Sequence, residues 1–329
     1  IVYIQIMRRK RVKLEGTAYY HVMNRVHGRA FLFDEEVSEA FCRIMRSVAQ
    51  FSGVEVITYC VMSNHVHLLL KVPQRKKLSD KELFARYEKL AARSSYHKMH
   101  GQYRHYQEQG NQRGMANIRH RLAARMYDLS AFMKELKQRF TQWYNTRGTC
   151  PGRGTFWTDR FKSVVVEGKG YALATVAAYI DMNPVRAHMV TDPKQHRWCG
   201  YAPALAGNPP AIRGLKSLLT GFGRSAGAPS DKEVLAMYRV LLFGAAERRP
   251  GAISRADIEA TFAAEGMLPS WEVAKHKARW LTSGLLIGSK SFVSRHAPQW
   301  NQTLRLKRKI AQQEKANEEG WFALRSGVT

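Results

Sequence analysis

Two periodicities alternate along the first two hundred residues. Thr17 to Arg25 (TAYYHVMNR) alternates polar and apolar positions and is rich in Tyr and Val, which predicts a strand. Glu35 to Phe51 places Val37, Ala40, Phe41, Ile44, Met45 and Val48 at helical spacing, and Gly53 stops that helix. Val54 to Met62 (VEVITYCVM) and His65 to Val72 (HVHLLLKV) predict two strands joined by a tight turn at Ser63-Asn64. Leu129 to Tyr144 is an amphipathic helix with Phe132, Leu136, Phe140 and Tyr144 four residues apart. A Gly/Pro loop over 148–154 leads to Phe156–Glu167, which ends in a Val164-Val165-Val166 strand. Tyr171 to Met182 is helical and stops near Asn183-Pro184.

Strand, helix, strand, strand, followed by helix, strand, helix, predicts an α+β fold: a ferredoxin-like antiparallel sheet with helices on one face. Residues 73–127 interrupt this order. They are polar, rich in His, Arg, Gln and Tyr, and read as an inserted helical arm or a flexible segment. From about residue 200 a Gly/Pro/Ala-rich stretch (YAPALAGNPPAIRG) marks a boundary, beyond which 231–243, 254–265, 270–283 and 302–319 show helical patterns. The organisation expected is a basic arm over 1–16, a core over 17–195 and a helical, basic accessory region over 200–329. The accessory region is expected either to add nucleic-acid contacts or a partner surface, or only to pack on the core. No internal repeat is present.

Composition is that of a globular protein with a core: 45% hydrophobic and 24% charged over 329 residues. Charge is the departure. Lys and Arg number 53 against 26 Asp and Glu, a net +27. The excess runs through the chain, with 34 basic against 16 acidic residues in 1–200 and 19 against 10 in 201–329. Such self-repulsion points to a polyanionic partner, and nucleic acid is the commonest. A membrane surface is the rival, but no apolar span of 18 residues and no lipidation signal occur. Cys42, Cys60, Cys150 and Cys199 form no C-x-x-C pair, which suits a reducing compartment. The opening IVYIQIMRRKRVKLEG sets its apolar run before its basic residues, the reverse of a secretory signal. Met7 reads as a start with 1–6 an upstream extension, and a cytoplasmic, nucleoid-associated protein is expected.

Three constellations carry chemistry. His65 and His67 are two apart on a strand, so both imidazoles project to one face and can meet one metal ion. An H-x-H triplet alone equally describes two exposed strand histidines. Tyr179 and Asn183 are four apart on a helix and share a face, setting a hydroxyl beside an amide oxygen. Taken alone they equally describe a half-buried tyrosine and a helix terminator. Basic and aromatic residues interleave over Lys137, Arg139, Phe140, Trp143, Tyr144, Arg147, Arg153, Phe156, Trp157, Arg160, Phe161 and Lys162. Basic groups there can neutralise phosphates while aromatic faces stack unpaired bases. Phe140 and Phe161 are expected mostly in the core. The nucleic-acid contacts expected are Arg8, Arg9, Lys10, Arg11, Lys137, Arg147, Arg153, Trp157, Arg160 and Lys162.

Residues 14–25, 57–72, 134–166 and 176–190, in that order, resemble the REP-associated tyrosine transposases, bacterial proteins of the HUH single-tyrosine transposase-like family. The resemblance covers most of 7–195 apart from the insertion. It implies that His65 and His67 are paired metal ligands, that Asn183, within a Tyr-x-x-x-Asn-Pro pattern, is the third, and that Tyr179 is the nucleophile. It implies a divalent cofactor, Mg or Mn, and single-stranded or hairpin DNA as partner. The activity implied is a single-strand DNA endonuclease and strand transferase acting at hairpin repeats through a 5′-phosphotyrosine. Exchange of one phosphodiester for another needs no ATP, and no G-x-x-x-x-G-K-[ST] loop occurs. Alternatives are a hairpin-binding protein of the same fold without catalysis, a replication initiator or relaxase, and a metal hydrolase using water. Monomer and homodimer are both open.

Overall fold

A computed structural model describes residues 13–147, 154–168, 171–219, 229–243, 281, 286–296 and 322–324. Strand β1 (Ala18–Arg25) is followed by helix α1 (Glu35–Ser52), β2 (Glu55–Met62) and β3 (His65–Val72). The inserted helices are α2 (Asp80–Glu88), α3 (Arg93–Glu108) and α4 (Gln112–Ala123), and α5 (Leu129–Thr146) and β4 (Lys162–Val166) follow them. Next come α6 (Tyr171–Asp181), α7 (Asn183–Arg186), α8 (Tyr201–Leu205), α9 (Pro209–Leu219), α10 (Asp231–Phe243), β5 (Leu286–Gly288) and β6 (Phe322–Leu324).

All six strands form one sheet, in the order β2-β3-β1-β4-β5-β6. The first four are mutually antiparallel, with His67 opposite Met23 and His21 opposite Leu69. β4 and β5 pair in parallel and β5 and β6 antiparallel. The α+β class is as expected, and the ferredoxin-like order holds for β1 to β4. Two strands beyond it were not foreseen, because three-residue runs carry no periodicity.

Alternation along the strands sorts side chains between two cores. Tyr20, Val22, Val66, Leu68, Leu70 and Val165 meet the apolar faces of α1 and α5, including Phe41, Met45, Phe132 and Phe140. Leu69, Val164, Val166 and Cys60 face the other way, onto Val176, Ile180, Tyr201, Leu215 and Tyr238. The expectation of helices on one face is therefore met by α1 and α5 only. The second face is closed by α6, α8, α9 and α10, because β1 to β4 present apolar residues on both sides.

Local signals set the helix ends. The Asp34 carboxylate accepts from the amide of Val37 at 2.8 Å and caps α1, while Gly53, at φ 71°, ends it in the left-handed region. Ser79 and Glu82 form a capping box at the start of α2. Of the two expectations for 73–127, the helical arm is observed. Its helices bury Tyr103, Met115, Ile118 and Leu122, and Arg119 donates to Asp80 from Nε at 2.6 Å and from an η nitrogen at 2.8 Å.

The stretch near residue 200 is packed, not a linker. The amide of Gly200 donates to the carbonyl of Tyr59 at 2.8 Å. A Cβ at Gly200 would stand 2.1 Å from Thr58 Oγ1, and one at Gly214 would stand 2.2 Å from the carbonyl oxygen of Ile57. Glycine here lets α8 and α9 lie directly on β2. Cys42, Cys60 and Cys199 are buried free thiols. Of the remaining expected helices, 231–243 is α10, while 254–265, 302–319 and 270–283 apart from Leu281 lie outside the described residues. No helix among the described residues is long and apolar enough to cross a membrane.

Candidate active site

The second face of the sheet brings together residues more than a hundred positions apart. On β3, His65 and His67 point to this face, with ring centroids 5.0 Å apart and planes crossed at 81°. α6 crosses above them and sets the ring of Tyr179 at 5.8 Å from that of His67. One turn on, Asn183 starts α7, and its amide nitrogen donates to the carbonyls of Tyr179 at 2.9 Å and Ile180 at 3.3 Å. That fixes the amide and leaves its oxygen without a partner among the described residues. Tyr179 and Asn183 are 7% and 8% exposed, and His67 is 1% exposed, while His65 is half-buried. Thus one ring of the strand pair, His67, faces the ring of Tyr179 from the helix pair.

Burial sets the charge state. Desolvation, together with Arg25 nearby, pushes His65 down to about 4. Desolvation pushes His67 well below the usual range, with His21, His65, Arg186 and Arg25 adding in the same direction. Neutral imidazoles keep a lone pair for a cation. Among the described residues no three His, Cys, Asp or Glu side chains are grouped to hold a metal. Two neutral imidazoles on one strand face are nitrogen donors of the kind a divalent transition-metal ion takes.

Three residues that the sequence reading missed complete the site. His21, on β1, lies diagonally across from His67, with ring centroids 5.1 Å apart and the two rings stacked. It hydrogen-bonds through Nε2 to His67 Nδ1 at 2.9 Å and through Nδ1 to the carbonyl of Leu281 at 2.7 Å. Pairing β1 beside β3 with Tyr19, His21 and Met23 on one face would have found it. Arg186, on α7, lies over the Tyr179 ring, and its buried Nε has no hydrogen-bond partner among the described residues. Asp181, a lone acid in the apolar run VAAYIDMNP, is fully buried. It accepts from Thr58 Oγ1 at 2.8 Å, from the amides of Gly200 at 3.1 Å and Tyr201 at 3.3 Å, and from the hydroxyl of Tyr238. Desolvation pushes its carboxyl up to about 6 despite these donors. Asp181 therefore ties the tyrosine helix to β2, α8 and α10.

The expected nucleic-acid contacts divide. Arg8, Arg9, Lys10, Arg11 and Arg153 lie outside the described residues. Arg160 and Lys162 are exposed at the approach to β4. Lys134, Lys137 and Arg160 line a groove of about 700 Å³ along α5, with Gln138 and Asn145 as polar neighbours. Lys137 donates to the carbonyl of Asp159 at 2.7 Å. Two expected contacts also have partners within the fold. Trp157 is 4% exposed against Phe33, Phe140 and Phe156, and it lines the groove along α5. Arg147 pairs with Glu36 and stacks on Trp143. Aromatic spacing alone does not tell a stacking platform from a core ring.

Residues 16–114 match the family described as transposase IS200 like. The resemblance read from the sequence is met over that stretch, which contains His65 and His67 but neither Tyr179 nor Asn183. No curated protein matches the chain. Among solved structures, the chain is similar to a REP-associated tyrosine transposase bound to a REP hairpin, at 14% identity over 63% of this chain and 90% of that one, with a TM-score of 0.40. It is also similar to a candidate transposase of Deinococcus radiodurans R1, at 15% identity over 56% and 92%, with a TM-score of 0.26.

Proposed function

We propose that this chain, whose residues 16–114 match the IS200-like transposase family, is a metal-dependent single-strand DNA endonuclease and strand transferase acting at hairpin-bearing repeats. One observation supports the reading: the Tyr179 ring sits 5.8 Å from that of His67, so a phenol and a neutral strand imidazole meet on one buried surface.

The residues have separable roles. His65, His67 and the Asn183 oxygen would hold a divalent cation. When bound, it would draw charge from a non-bridging phosphate oxygen and hold the phosphate in line. Tyr179 supplies the nucleophile. Its hydroxyl oxygen bonds to phosphorus and gives up its proton, the bond from phosphorus to the 3′ oxygen breaks, and that oxygen leaves as a 3′-hydroxyl. The product is a 5′-phosphotyrosine, and attack on it by another 3′-hydroxyl reverses the balance and joins strands. Arg186 lies over the ring as the phenol becomes anionic, and its Nε–H can donate to the phosphate. Lys134, Lys137, Arg160 and Lys162 would neutralise DNA phosphates along α5 and the start of β4.

The test is a denaturing gel of labelled hairpin oligonucleotides, taken from repeats flanking the gene and incubated with Mn²⁺ or Mg²⁺. A slow, protease-sensitive band that needs metal and disappears in Tyr179→Phe is the expected result. An adduct persisting in Tyr179→Phe refutes the nucleophile assignment. A tight mobility shift with no cleavage in either metal supports the non-catalytic hairpin-binding alternative instead.

A further inference from the structure

A chain of hydrogen bonds fixes which nitrogen of His67 carries a proton. The carbonyl oxygen of Leu281 can only accept, so His21 Nδ1, 2.7 Å away, must be the donor. His21 is 1% exposed, and its hydrogen-bond partners are a carbonyl and an imidazole, so nothing there favours a second ring hydrogen. With that hydrogen on Nδ1, its Nε2 is a pure acceptor. His67 Nδ1, 2.9 Å from it, must then be the donor, and neutral His67 is left with a bare Nε2. His65 reaches the same state by another route. Asn64 Nδ2 donates to the carbonyl of Arg29 at 3.4 Å, which turns Asn64 Oδ1 onto His65 Nδ1 at 2.7 Å. Both β3 histidines therefore present Nε2 lone pairs.

We propose that His21 is a positioning residue, which passes the polarity of the Leu281 carbonyl on to His67 and so holds the Nε2 of His67 as a ligand-ready lone pair. The inference rests on the divalent-cation reading of the site. It places residue 281, far beyond the expected core of 17–195, in the outer shell of the cation site. It also excludes His21 as a ligand, because both of its nitrogens are engaged. A second shell of this kind fixes ring tautomer and orientation, and its loss typically lowers metal affinity about 10–100-fold.

The test uses the full chain, labelled with ¹⁵N-histidine and free of metal. Long-range ¹H–¹⁵N spectra at pH 7.5 are expected to show His67 as the Nδ1–H tautomer. His21→Gln keeps an acceptor for His67 Nδ1–H. It should retain both that tautomer and Mn²⁺ affinity, read by the free-Mn²⁺ electron paramagnetic resonance signal, to within about threefold. His21→Leu removes the acceptor and should release the tautomer and weaken Mn²⁺ binding by about 10–100-fold. A wild-type His67 protonated at Nε2 overturns the proposal whether or not the leucine variant folds. Unchanged Mn²⁺ affinity in a folded His21→Leu overturns the positioning role alone. Failure of the wild-type chain to bind Mn²⁺ overturns the cation reading beneath it.

Discussion

The guanidinium carbon of Arg186 stands 4.7 Å from the centre of the Tyr179 ring, and its Nε is buried without a hydrogen-bond partner among the described residues. A buried donor without a partner costs about 1–3 kcal/mol. A cation over an aromatic face returns part of that, and more once the phenol carries negative charge. Both features suit a residue whose partner, a phosphate oxygen, arrives with the substrate. Arg186→Gln should therefore lower single-turnover adduct formation on the order of 100-fold, the size of one lost donor to developing charge. Hairpin affinity should change far less. Arg186→Lys should recover only part of the rate, since an ammonium lacks the planar fork. Equal losses in affinity and rate would assign Arg186 to general DNA binding.

Asp181 makes stability depend on pH in a direction opposite to most carboxylates. Its folded value is raised from 3.8 to about 6, with desolvation the leading cause, so folding favours the protonated form. The contribution is complete below about 4 and is lost as pH rises through about 6. At 1.36 kcal/mol per unit, this amounts to about 3 kcal/mol between pH 4 and 7. Asp181→Asn has no carboxyl to titrate. The difference in unfolding free energy, wild type minus Asp181→Asn, should fall by about that amount over this window in urea titrations. Tyr238→Phe removes a donor that favours the ionised form, so it should move the midpoint of the loss to higher pH. A difference that does not vary with pH would refute the assignment.

Strands β1 to β4 and helices α1, α5 and α6 were legible because alternation and 3.6-residue spacing are strong there, while 73–127, too polar to show an apolar stripe, left helix and flexible segment both open. β3 was expected over His65–Val72 and found there, and α5 was expected from Leu129. His65, His67, Tyr179 and Asn183 were legible as two pairs, since spacing within one element survives in sequence. That the Tyr179 ring meets the His67 ring was not legible from spacing, because it depends on α6 crossing the second sheet face. His21 and Asp181 were missed for the same reason: their partners are 46 and 123 residues away. The boundary near 200 misread composition. Gly, Ala and Pro mark a linker when exposed, but Gly200 and Gly214 are small because β2 backbone lies against them.

The groove along α5 makes a prediction about salt. Each cation on a phosphate adds about 0.7 to the slope of log affinity against log salt for a single strand and about 0.9 for a duplex. Lys134→Gln, Arg160→Gln and Lys162→Gln, made singly, should each reduce the slope for hairpin binding by nearly one, with little dependence on sequence. Arg147→Gln should leave the slope unchanged, since that guanidinium is engaged with Glu36 and Trp143. Fluorescence anisotropy between 50 and 300 mM salt would read both; a full slope reduction in Arg147→Gln would place the DNA along α1 instead.

Helices α8, α9 and α10 close the second core, so loosening them should impair the tyrosine helix at a distance. An added Cβ at Gly214 meets the carbonyl oxygen of Ile57 at 2.2 Å, and strand backbone cannot move aside cheaply. Gly214→Ala should therefore push α9 from β2 and cost about 1–3 kcal/mol. Because Asp181 joins α6 to Thr58 on β2 and to Tyr238 on α10, the same variant should slow adduct formation while hairpin affinity holds. The matched control is Gly101→Ala on α3, where an added Cβ meets nothing within 4 Å. That change should stabilise by up to about 1 kcal/mol through helix propensity and leave the chemistry alone. If Gly214→Ala unfolds no earlier than wild type and forms adduct at the wild-type rate, the region beyond 200 is not part of the scaffold that presents Tyr179.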